Sequence, residues 1–331
     1  MHKDNFRVAV IQAAPVFLDL EATIEKACNL IREASKNGAA FVLLPEVFVP
    51  GYPDWIWNVP IGKMSLHQEL YATLLENSIS MDDKQIEKLA ITAKENNIYV
   101  AIGVNEKNTT GSEGSIYNTV VYINADGTIL GKHQKLIPTL AERTAWAYGD
   151  PSTLQVFDTD LTKIGGLICW ENYMPLARCV LYSQGVQLYL APTYDESDTW
   201  KATMSHIARE GGTYVLGSCM AYKKSDILTK FPELEPYYKD AGEWINSGNS
   251  VIVEPSGAII AGPLHQEEGI LYADINLKKV RGSKWNLDVA GHYSRPDVFH
   301  LSLQQYPETE KINQTKELTI EALEKDENND I

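Results

Sequence analysis

The chain has 331 residues, of which 44% are hydrophobic and 22% are charged, and its formal net charge is −15. This hydrophobic fraction is ordinary for a globular protein, so the chain can bury a sizeable core. The acidic balance, without any basic stripe, argues against nucleic acids and anionic membrane surfaces as partners, because both require a basic footprint.

The amino-terminal residues lack the apolar stretch and the small-residue cleavage site of a secretory signal. No apolar run approaches the length of a membrane span. The four cysteines, at positions 28, 169, 179 and 219, form no C-x-x-C pair, and no two histidines have metal-ligand spacing. We therefore expect a cytoplasmic protein without a membrane segment, a disulfide framework or a metal site.

The first half of the chain alternates apolar runs rich in β-forming residues with amphipathic segments of helical period. A hairpin is expected around Asp126-Gly127, because this dipeptide is a strong turn signal between two apolar runs. Strands are predicted at residues 7–14, 39–46, 98–106, 116–124 and 128–135, and helices at residues 19–37 and 81–97.

The second half continues the alternation, interrupted by an irregular charged and aromatic segment at residues 223–246. The pattern as a whole predicts a layered α/β fold with mixed sheets. We expect one domain over residues 1–300 and an acidic extension at 301–331 that is flexible at its end. Strands are predicted at residues 154–158, 163–170, 186–193, 213–222 and 269–280, a second hairpin at 250–263, and helices at 175–185 and 198–212.

Three of the predicted strands lead into a side chain that can do chemistry, namely Glu46, Lys135 and Cys169. A thiol can attack an electrophilic carbon, a carboxylate can take and return protons, and an ammonium can stabilise developing negative charge. Each residue also has a plain structural interpretation. A cysteine that closes an apolar strand is usually core filler, a glutamate after a proline can cap a loop, and a lysine in a hairpin is usually solvated.

Other cysteines and a histidine offer weaker alternatives. Cys28 and Cys179 lie in helical patterns and Cys219 lies in a strand, so we interpret all three as structural. His292, in GHYSRPD, could pair with Cys169 in a Cys–His dyad, and we rank this arrangement second. No nucleophile elbow, dinucleotide fingerprint or phosphate-binding loop is present in the sequence.

Three motifs occur in the order LLPEVFVPGYP, GKHQKLIPTLAER and GGLICWENYMPLAR. In this order and spacing they resemble the nitrilase superfamily of carbon–nitrogen hydrolases, whose members use a Glu–Lys–Cys triad. The resemblance extends over most of the chain, from RVAVIQAAP to AGHYSRPDVF. It implies a triad of Glu46, Lys135 and Cys169, and it matches Glu142 to a second glutamate that the family often places beside the triad.

The resemblance also implies a fold and an assembly. The family fold is a four-layer α-β-β-α sandwich, and its members commonly form homodimers that nitrilases extend into spiral homo-oligomers. The helices predicted at 175–185 and 198–212 are the corresponding candidates for the dimer face. The segments at 54–75 and 223–246 resemble insertions of the nitrilase branch that contribute to subunit contacts.

The residues after the cysteine, Cys-Trp-Glu-Asn, and the late GHYSRPD segment resemble true nitrilases more than amidases. The implied reaction is hydrolysis of an organic nitrile to a carboxylic acid and ammonia, with water as the second substrate and without a cofactor or metal. By their position beside the motifs, four residues are candidates to line the substrate pocket: Tyr52, Trp170, Thr193 and Tyr194. Glu171 and Asn172 are expected to hold the cysteine loop.

Three alternatives remain open from the sequence. The same triad would serve an amidase or N-carbamoyl hydrolase acting on a carbonyl, and it would serve an enzyme that hydrolyses cyanide. A catalytically inactive scaffold that binds a partner is the alternative of another class, and the intact triad argues against it. The sequence does not identify which nitrile is the substrate.

Overall fold

A computed structural model describes residues 4–303 of the chain. Within this range the helices and strands alternate much as the apolar periodicity predicts. The helices are α1 (Leu20–Lys36), α2 (Trp55–Asn58), α3 (Met64–Asn77), α4 (Lys84–Glu95), α5 (Pro175–Ser183), α6 (Asp198–Gly211), α7 (Lys224–Leu228), α8 (Glu235–Tyr238) and α9 (Leu277–Ser283). The strands are β1 (Asn5–Gln12), β2 (Ala39–Leu43), β3 (Tyr99–Lys107), β4 (Ile116–Ile123), β5 (Ile129–Gln134), β6 (Phe157–Asp158), β7 (Lys163–Gly166), β8 (Leu188–Thr193), β9 (Tyr214–Cys219), β10 (Ala221–Lys223), β11 (Trp244–Ser247), β12 (Val251–Val253), β13 (Ile259–Ala261) and β14 (Gly269–Asn276).

Two six-stranded mixed sheets form the centre of the fold. The first has the order β14-β1-β2-β3-β4-β5, and the second has the order β13-β12-β9-β8-β7-β6. In each sheet three central strands are parallel and the outer pairings are antiparallel: β1, β2 and β3 in the first, and β7, β8 and β9 in the second. Strands β10 and β11 form a separate two-stranded sheet.

The two sheets pack face to face through apolar side chains that alternate along their strands. From the first sheet Val8 and Phe41 enter this interface, and from the second Leu188 and Leu216 do so. All four side chains are buried. The interface is therefore the central core of the molecule.

Helices cover the outer face of each sheet. On the first sheet, α1 and α4 bury Ile24 and Leu89. On the second sheet, α5 and α6 bury Leu181 and Ile207. The layers thus follow the order helix, sheet, sheet, helix, and the predicted four-layer α-β-β-α sandwich is confirmed.

Helix α1 shows how the sequence produces one of these outer elements. Asp19 precedes the helix, and its carboxylate accepts a hydrogen bond of 3.0 Å from the backbone N–H of Ala22, which satisfies an amide that the first turn leaves free. Ile24, Ala27 and Ile31 recur at helical spacing and are fully buried. The helix is therefore held by its cap at one end and by its apolar face along its length.

Several predicted boundaries differ from the structure. The strand predicted at 163–170 ends at Gly166, and Cys169 opens a short 3₁₀ helix instead. The strand predicted at 269–280 ends at Asn276, whose side chain accepts from the amide of Lys278 and starts α9. The strand predicted at 154–158 is reduced to Phe157–Asp158.

The two segments interpreted as irregular insertions contain short elements. Residues 54–75 include α2 and most of α3, whose buried residues Leu70 and Leu74 lie one helical turn apart. Residues 223–246 include α7, α8 and parts of β10 and β11. Both segments pack together outside the sheets, in a cluster that includes Trp55 and Tyr238.

Within residues 4–303, no helix combines the length and the apolar content needed to cross a membrane. Over the same range, no group of three or more His, Cys, Asp or Glu side chains is arranged to hold a metal ion. Apart from residues 301–303, the extension expected at 301–331 lies outside the described part of the chain.

Candidate active site

The candidate catalytic residues lie at one edge of the two sheets. Glu46 follows β2, Lys135 follows β5 directly, and Cys169 follows β7. Strands β2 and β5 run in the same direction, since β2 is parallel to β3 and the next two pairings are antiparallel. The carboxyl ends of parallel strands are the usual location of binding sites in such sheets.

A glycine on β3 allows the loop that carries Glu46 to lie close to the sheet. A Cβ atom at Gly103 would lie 2.2 Å from the carbonyl oxygen of Pro45 and 2.3 Å from the amide nitrogen of Val47. These distances are far shorter than any side chain tolerates. The backbone on either side of Glu46 therefore packs directly against the glycine, which fixes the position of the carboxylate.

Lys135 joins two carboxylates in the interior. Its Nζ lies 2.8 Å from Oε1 of Glu46 and 2.7 Å from Oε2 of Glu142, and all three side chains are almost fully excluded from solvent. Burial by itself lowers the pKa of the ammonium, but the two carboxylates outweigh burial and raise the pKa above its ordinary value. Lys135 is therefore a permanent positive charge between two glutamates.

Glu46 has one oxygen that is fully engaged and one that is free. Oε1 accepts from Lys135 and, at 2.7 Å, from Nδ2 of Asn118. Oε2 is buried and has no hydrogen-bond partner. Burial raises the pKa of this carboxyl, while Lys135 and Asn118 oppose the rise. A buried carboxylate with a free oxygen and a raised pKa is suited to accept a proton.

Both carboxylate oxygens of Glu142 accept hydrogen bonds. It lies in the 3₁₀ helix Leu140–Thr144. Its Oε1 accepts from the hydroxyl of Tyr52 at 2.8 Å, and its Oε2 accepts from the backbone N–H of Thr139 at 2.7 Å as well as from Lys135. With both oxygens engaged, Glu142 positions the ammonium group.

Cys169 sits in a sharp turn. Its φ angle is 52°, in the left-handed region that residues other than glycine rarely adopt. The side chain of Asn172 holds this conformation by donating to the carbonyl oxygens of Leu167 and Cys169, at 3.0 and 2.8 Å. Strain of this kind persists only where surrounding contacts enforce it, and it is common at nucleophiles.

The thiol of Cys169 is protonated at rest. Burial raises its pKa well above the ordinary range, and the negative charges of Glu46 and Glu142 raise it further. Lys135 acts in the opposite direction, as does the hydroxyl of Thr193, which donates to the sulfur at 3.2 Å. Attack by the sulfur therefore requires transfer of its proton to a base.

Glu171 connects the cysteine turn to the strand that carries the lysine. Its Oε2 accepts from the amide of Ile168 at 2.8 Å and lies 3.0 Å from Nε2 of His133. Its Oε1 accepts from the amide of Leu136 at 2.6 Å. These bonds join the residues next to Cys169 and Lys135. They therefore fix the position of the cysteine turn relative to the segment that carries the lysine.

A cavity of about 600 Å³ opens onto Cys169 and Glu142. Tyr52 and Tyr194 form part of its wall as parallel stacked rings whose centroids are 3.7 Å apart. Trp170 also lines the cavity and is 46% exposed. Of the four residues predicted to line the pocket, Thr193 is not part of the cavity wall, and its hydroxyl donates to the cysteine sulfur.

The structure also shows where His292 and the other three cysteines lie. His292 is exposed, and its ring contacts Tyr293. The buried thiol of Cys169 instead contacts Thr193. Cys28 and Cys219 are buried, in keeping with a structural role, whereas Cys179 is exposed on α5.

Asn118 and several residues of the cavity wall, among them Asp54, Asp195 and Trp244, were not predicted from the sequence. Asn118 lies on β4, where its donation to Glu46 could be inferred only from the pairing of β4 with the strand before Lys135. Asp54 lies at the cavity wall and accepts from the hydroxyls of Tyr194 and Tyr238, at 2.6 and 2.7 Å. The sequence offered one indication of the role of Asp54, namely the aromatic residues of the two insertions, one of which, Tyr238, bonds to it.

Residues 7–284 match the carbon-nitrogen hydrolase family. The chain is 42% identical to an aliphatic nitrilase of Sinorhizobium fredii, over 92% of this chain and 97% of the relative. It is 39% identical to nitrilase 2 of Arabidopsis thaliana, over 91% and 89%. Among solved structures it resembles Nit3 of Saccharomyces cerevisiae, a member of branch 10 of the nitrilase superfamily, with a TM-score of 0.70 and 20% identity over 89% and 98% of the two chains. The resemblance drawn from the three sequence motifs is confirmed, and the chain belongs to the carbon-nitrogen hydrolase family, whose reaction is hydrolysis of a carbon–nitrogen bond.

Proposed function

We propose that this chain is a nitrilase that hydrolyses an organic nitrile to a carboxylic acid and ammonia. One observation carries the proposal: Lys135 bridges Glu46 and Glu142 in the interior, and Cys169 and Glu142 line the same cavity. The names of the related nitrilases favour a nitrile over other carbon–nitrogen substrates.

The first half of the reaction forms a covalent thioimidate. Cys169 transfers its proton to Glu46 as the sulfur attacks the nitrile carbon, because the neutral thiol is a poor nucleophile. The free Oε2 of Glu46 is available for this proton. Lys135 and the backbone N–H of Trp170 stabilise the negative charge that develops on the former nitrile nitrogen, which then takes the proton back from Glu46.

The second half releases both products. Glu46 takes a proton from water as the oxygen adds to the thioimidate carbon, and it passes this proton to the nitrogen. The hydroxyl proton of the tetrahedral intermediate then reaches the nitrogen by the same route, so ammonia leaves and an acyl thioester remains. A second water, activated in the same way, releases the carboxylic acid and restores the thiol. One nitrile and two waters thus give one acid and one ammonia. Glu142 keeps Lys135 in place throughout.

A panel of nitriles and their matching amides tests this proposal. We expect ammonia and the carboxylic acid from nitriles, and a Cys169→Ala variant that loses turnover by about 10⁴-fold or more, because removal of a nucleophile disables the whole machinery. A covalent adduct on Cys169 should be seen by mass spectrometry in the unmodified enzyme. Acid from amides alone would favour the amidase or N-carbamoyl alternative, and formate from cyanide alone would favour the cyanide-hydrolysing one.

The variant also addresses the inactive scaffold. Turnover that persisted in Cys169→Ala would show that another residue is the nucleophile. Absence of turnover from every nitrile and amide with the unmodified chain would favour a binding role. The variant should keep the assembly of the unmodified chain, because the sulfur lies in the interior.

We further propose a homodimer formed through α5 and α6, with a spiral homo-oligomer as a possible extension. These are the helices that the family resemblance implies for the dimer face, and Leu176 at the start of α5 is exposed. Light scattering after size-exclusion chromatography tests the assembly. We propose a cytoplasmic location, in keeping with the free cysteines, and cell fractionation tests it. We also propose one domain over residues 1–300, which limited proteolysis tests.

A further inference from the structure

The wall of the cavity combines aromatic rings with carboxylates. Its described lining contains five aromatic residues and three acidic ones, and it contains neither lysine nor arginine. The aromatic residues are Tyr52, Trp57, Trp170, Tyr194 and Trp244, and the acidic residues are Asp54, Glu142 and Asp195. A pocket of this kind offers an apolar body of a ligand many contacts and offers a negative charge no partner.

Of the three carboxylates of this wall, Asp54 and Asp195 form no ion pair with a described lysine or arginine; Asp54 is buried and bonded to two tyrosine hydroxyls, and the more exposed of the two is Asp195. It is half-buried, its Oδ2 accepts from Nε1 of Trp170 at 2.8 Å, and its Oδ1 accepts from the amide of Ser197 at 2.9 Å. Among the residues that the structure describes, no lysine or arginine forms an ion pair with Asp195. Its charge therefore acts on whatever lies in the cavity beside Trp170.

Two lysines close to the cavity wall, Lys135 and Lys223, have carboxylate partners, and Lys224 donates to the carbonyl oxygens of Tyr238 and Ala241. Lys135 is enclosed between Glu46 and Glu142, so its single positive charge is shared by two carboxylates. Lys223 lies with its Nζ 4.9 Å from the centroid of the Trp244 ring, and it forms an ion pair of 2.7 Å with Glu243. Neither lysine is free to bind a carboxylate of a substrate.

We propose that the cavity selects nitriles with an apolar body that are uncharged or positively charged, and that it rejects nitriles carrying a carboxylate. This inference rests on the proposed nitrilase function. An anionic substrate would have to lose hydration on entering an aromatic pocket without gaining a cation, and it would face Asp195. A cationic substituent would gain Asp195 and the faces of the indole rings.

Three substrates of the same shape test the proposal: 4-ethylbenzonitrile, 4-cyanobenzylammonium and 4-cyanophenylacetate. A methylene group separates the charge from the ring in both charged compounds, so the reactivity of the nitrile carbon changes little. We expect kcat/KM for the anion to be lower than for the neutral compound by about tenfold or more. An aliphatic series of pentanenitrile and 4-cyanobutanoate repeats the comparison without the ring.

An Asp195→Asn variant identifies the residue responsible. The amide keeps one oxygen that can accept from Trp170, and it loses the charge together with the oxygen that accepts from the amide of Ser197. We expect the ratio of kcat/KM for the neutral compound to that for the anion to fall by about threefold or more. The ratio is the measurement, because a shifted Trp170 would lower both values together.

Asp198→Asn is the matched control. Asp198 is exposed at the start of α6, forms an ion pair with Lys201 and is not part of the cavity wall. It changes the net charge of the protein by the same amount, so its neutral-to-anion ratio should match that of the unmodified enzyme. An equal fall in both variants would mean that the overall charge of the protein, not the cavity, discriminates.

The outcomes separate the two proposals. If no nitrile of either series is hydrolysed, the proposed function is wrong. If neutral nitriles are hydrolysed and the anions are hydrolysed equally well, the function stands and the charge selection is wrong. If the anion is rejected but the ratio is unchanged in Asp195→Asn, Asp195 is not the selecting residue.

Discussion

The reacting end of the cavity and its mouth are built in opposite ways. Glu46, Lys135 and Cys169 follow strands of the two sheets and are buried. The mouth is formed by residues 54–58 and 241–245, which lie in segments outside the sheets. Trp57 at the mouth is 44% exposed.

This difference separates positioning from selection. At the reacting end, Glu142 has both oxygens engaged and Glu171 joins the two sheets, so little can move. At the mouth, Asp54 joins the two insertions through the hydroxyl of Tyr238, and it also accepts from Tyr194 after β8. We therefore expect changes at the reacting end to alter kcat and changes at the mouth to alter KM.

The largest effect is expected at Lys135. A Lys135→Met variant keeps the volume of the side chain but leaves two buried glutamates without a cation. We expect kcat to fall by about 10³-fold and the free energy of unfolding to fall by about 3–5 kcal/mol. Ammonia release and urea unfolding measure the two effects.

Lys163→Met is the control for Lys135. This lysine lies on β7, and its ion pair with Asp158 is partly exposed at 3.8 Å. Its loss should cost less than about 1 kcal/mol. If Lys135→Met kept more than about a tenth of the activity, the role of the ammonium in the reaction would be refuted.

A smaller effect, visible mainly as a pH shift, is expected at Asn118. Glu46 must be ionised to accept a proton, and burial raises its pKa above the ordinary 4.5, so the acid limb of kcat/KM should lie above that value. The hydrogen bond from Asn118 favours the ionised form. An Asn118→Ala variant should therefore move the acid limb upward by about 0.5–1 pH unit, with a greater loss of activity at pH 6 than at pH 8.

Asn124→Ala, just after the same strand, provides the comparison for Asn118. Asn124 is partly buried in the hairpin turn, and its Oδ1 accepts from the amide of Ala125. Its removal should leave the acid limb in place. If the acid limb did not move in Asn118→Ala, or moved to lower pH, Glu46 would not be the group that accepts the proton.

The smallest effect is expected at Asp54. Burial raises the pKa of this carboxyl while the two tyrosine hydroxyls oppose the rise, so an Asp54→Asn variant resembles its neutral form. We expect KM for a neutral nitrile to rise about threefold to tenfold, with a smaller change in kcat, since the two insertions lose part of their connection. Asp240→Asn, an exposed change in the other insertion, two residues after Tyr238, should alter neither parameter. If Asp54→Asn lowered only kcat, Asp54 would act on the reaction itself and not on substrate binding.

The sequence predicted the ends of the strands better than their surroundings. The three motifs carry Glu46, Lys135 and Cys169 in order, and the alternation of strands and helices agrees with a sandwich in which the strands that precede these residues end near one another. These features are local, because a motif and an apolar period are both contained in a short stretch of chain.

Contacts between distant stretches could not be predicted. The bond from Asn118 to Glu46 joins residues that are 72 positions apart, and the bond from Tyr238 to Asp54 joins residues 184 apart. Helix α3 was missed because only two of its side chains are fully buried, which leaves a weak apolar face. The end of β7 before Cys169 depends on the turn that Asn172 holds, and no apolar period signals such a turn.

Gly103 determines whether the loop that carries Glu46 can take its position. No atom of Gly103 takes part in the reaction, yet any side chain there would collide with the backbone on both sides of Glu46. A relative could keep the glutamate, lysine and cysteine and still be unable to place the base if it carried a larger residue at this position. A substitution of Gly103 is therefore expected to abolish activity in this chain even though the glutamate, lysine and cysteine are all retained.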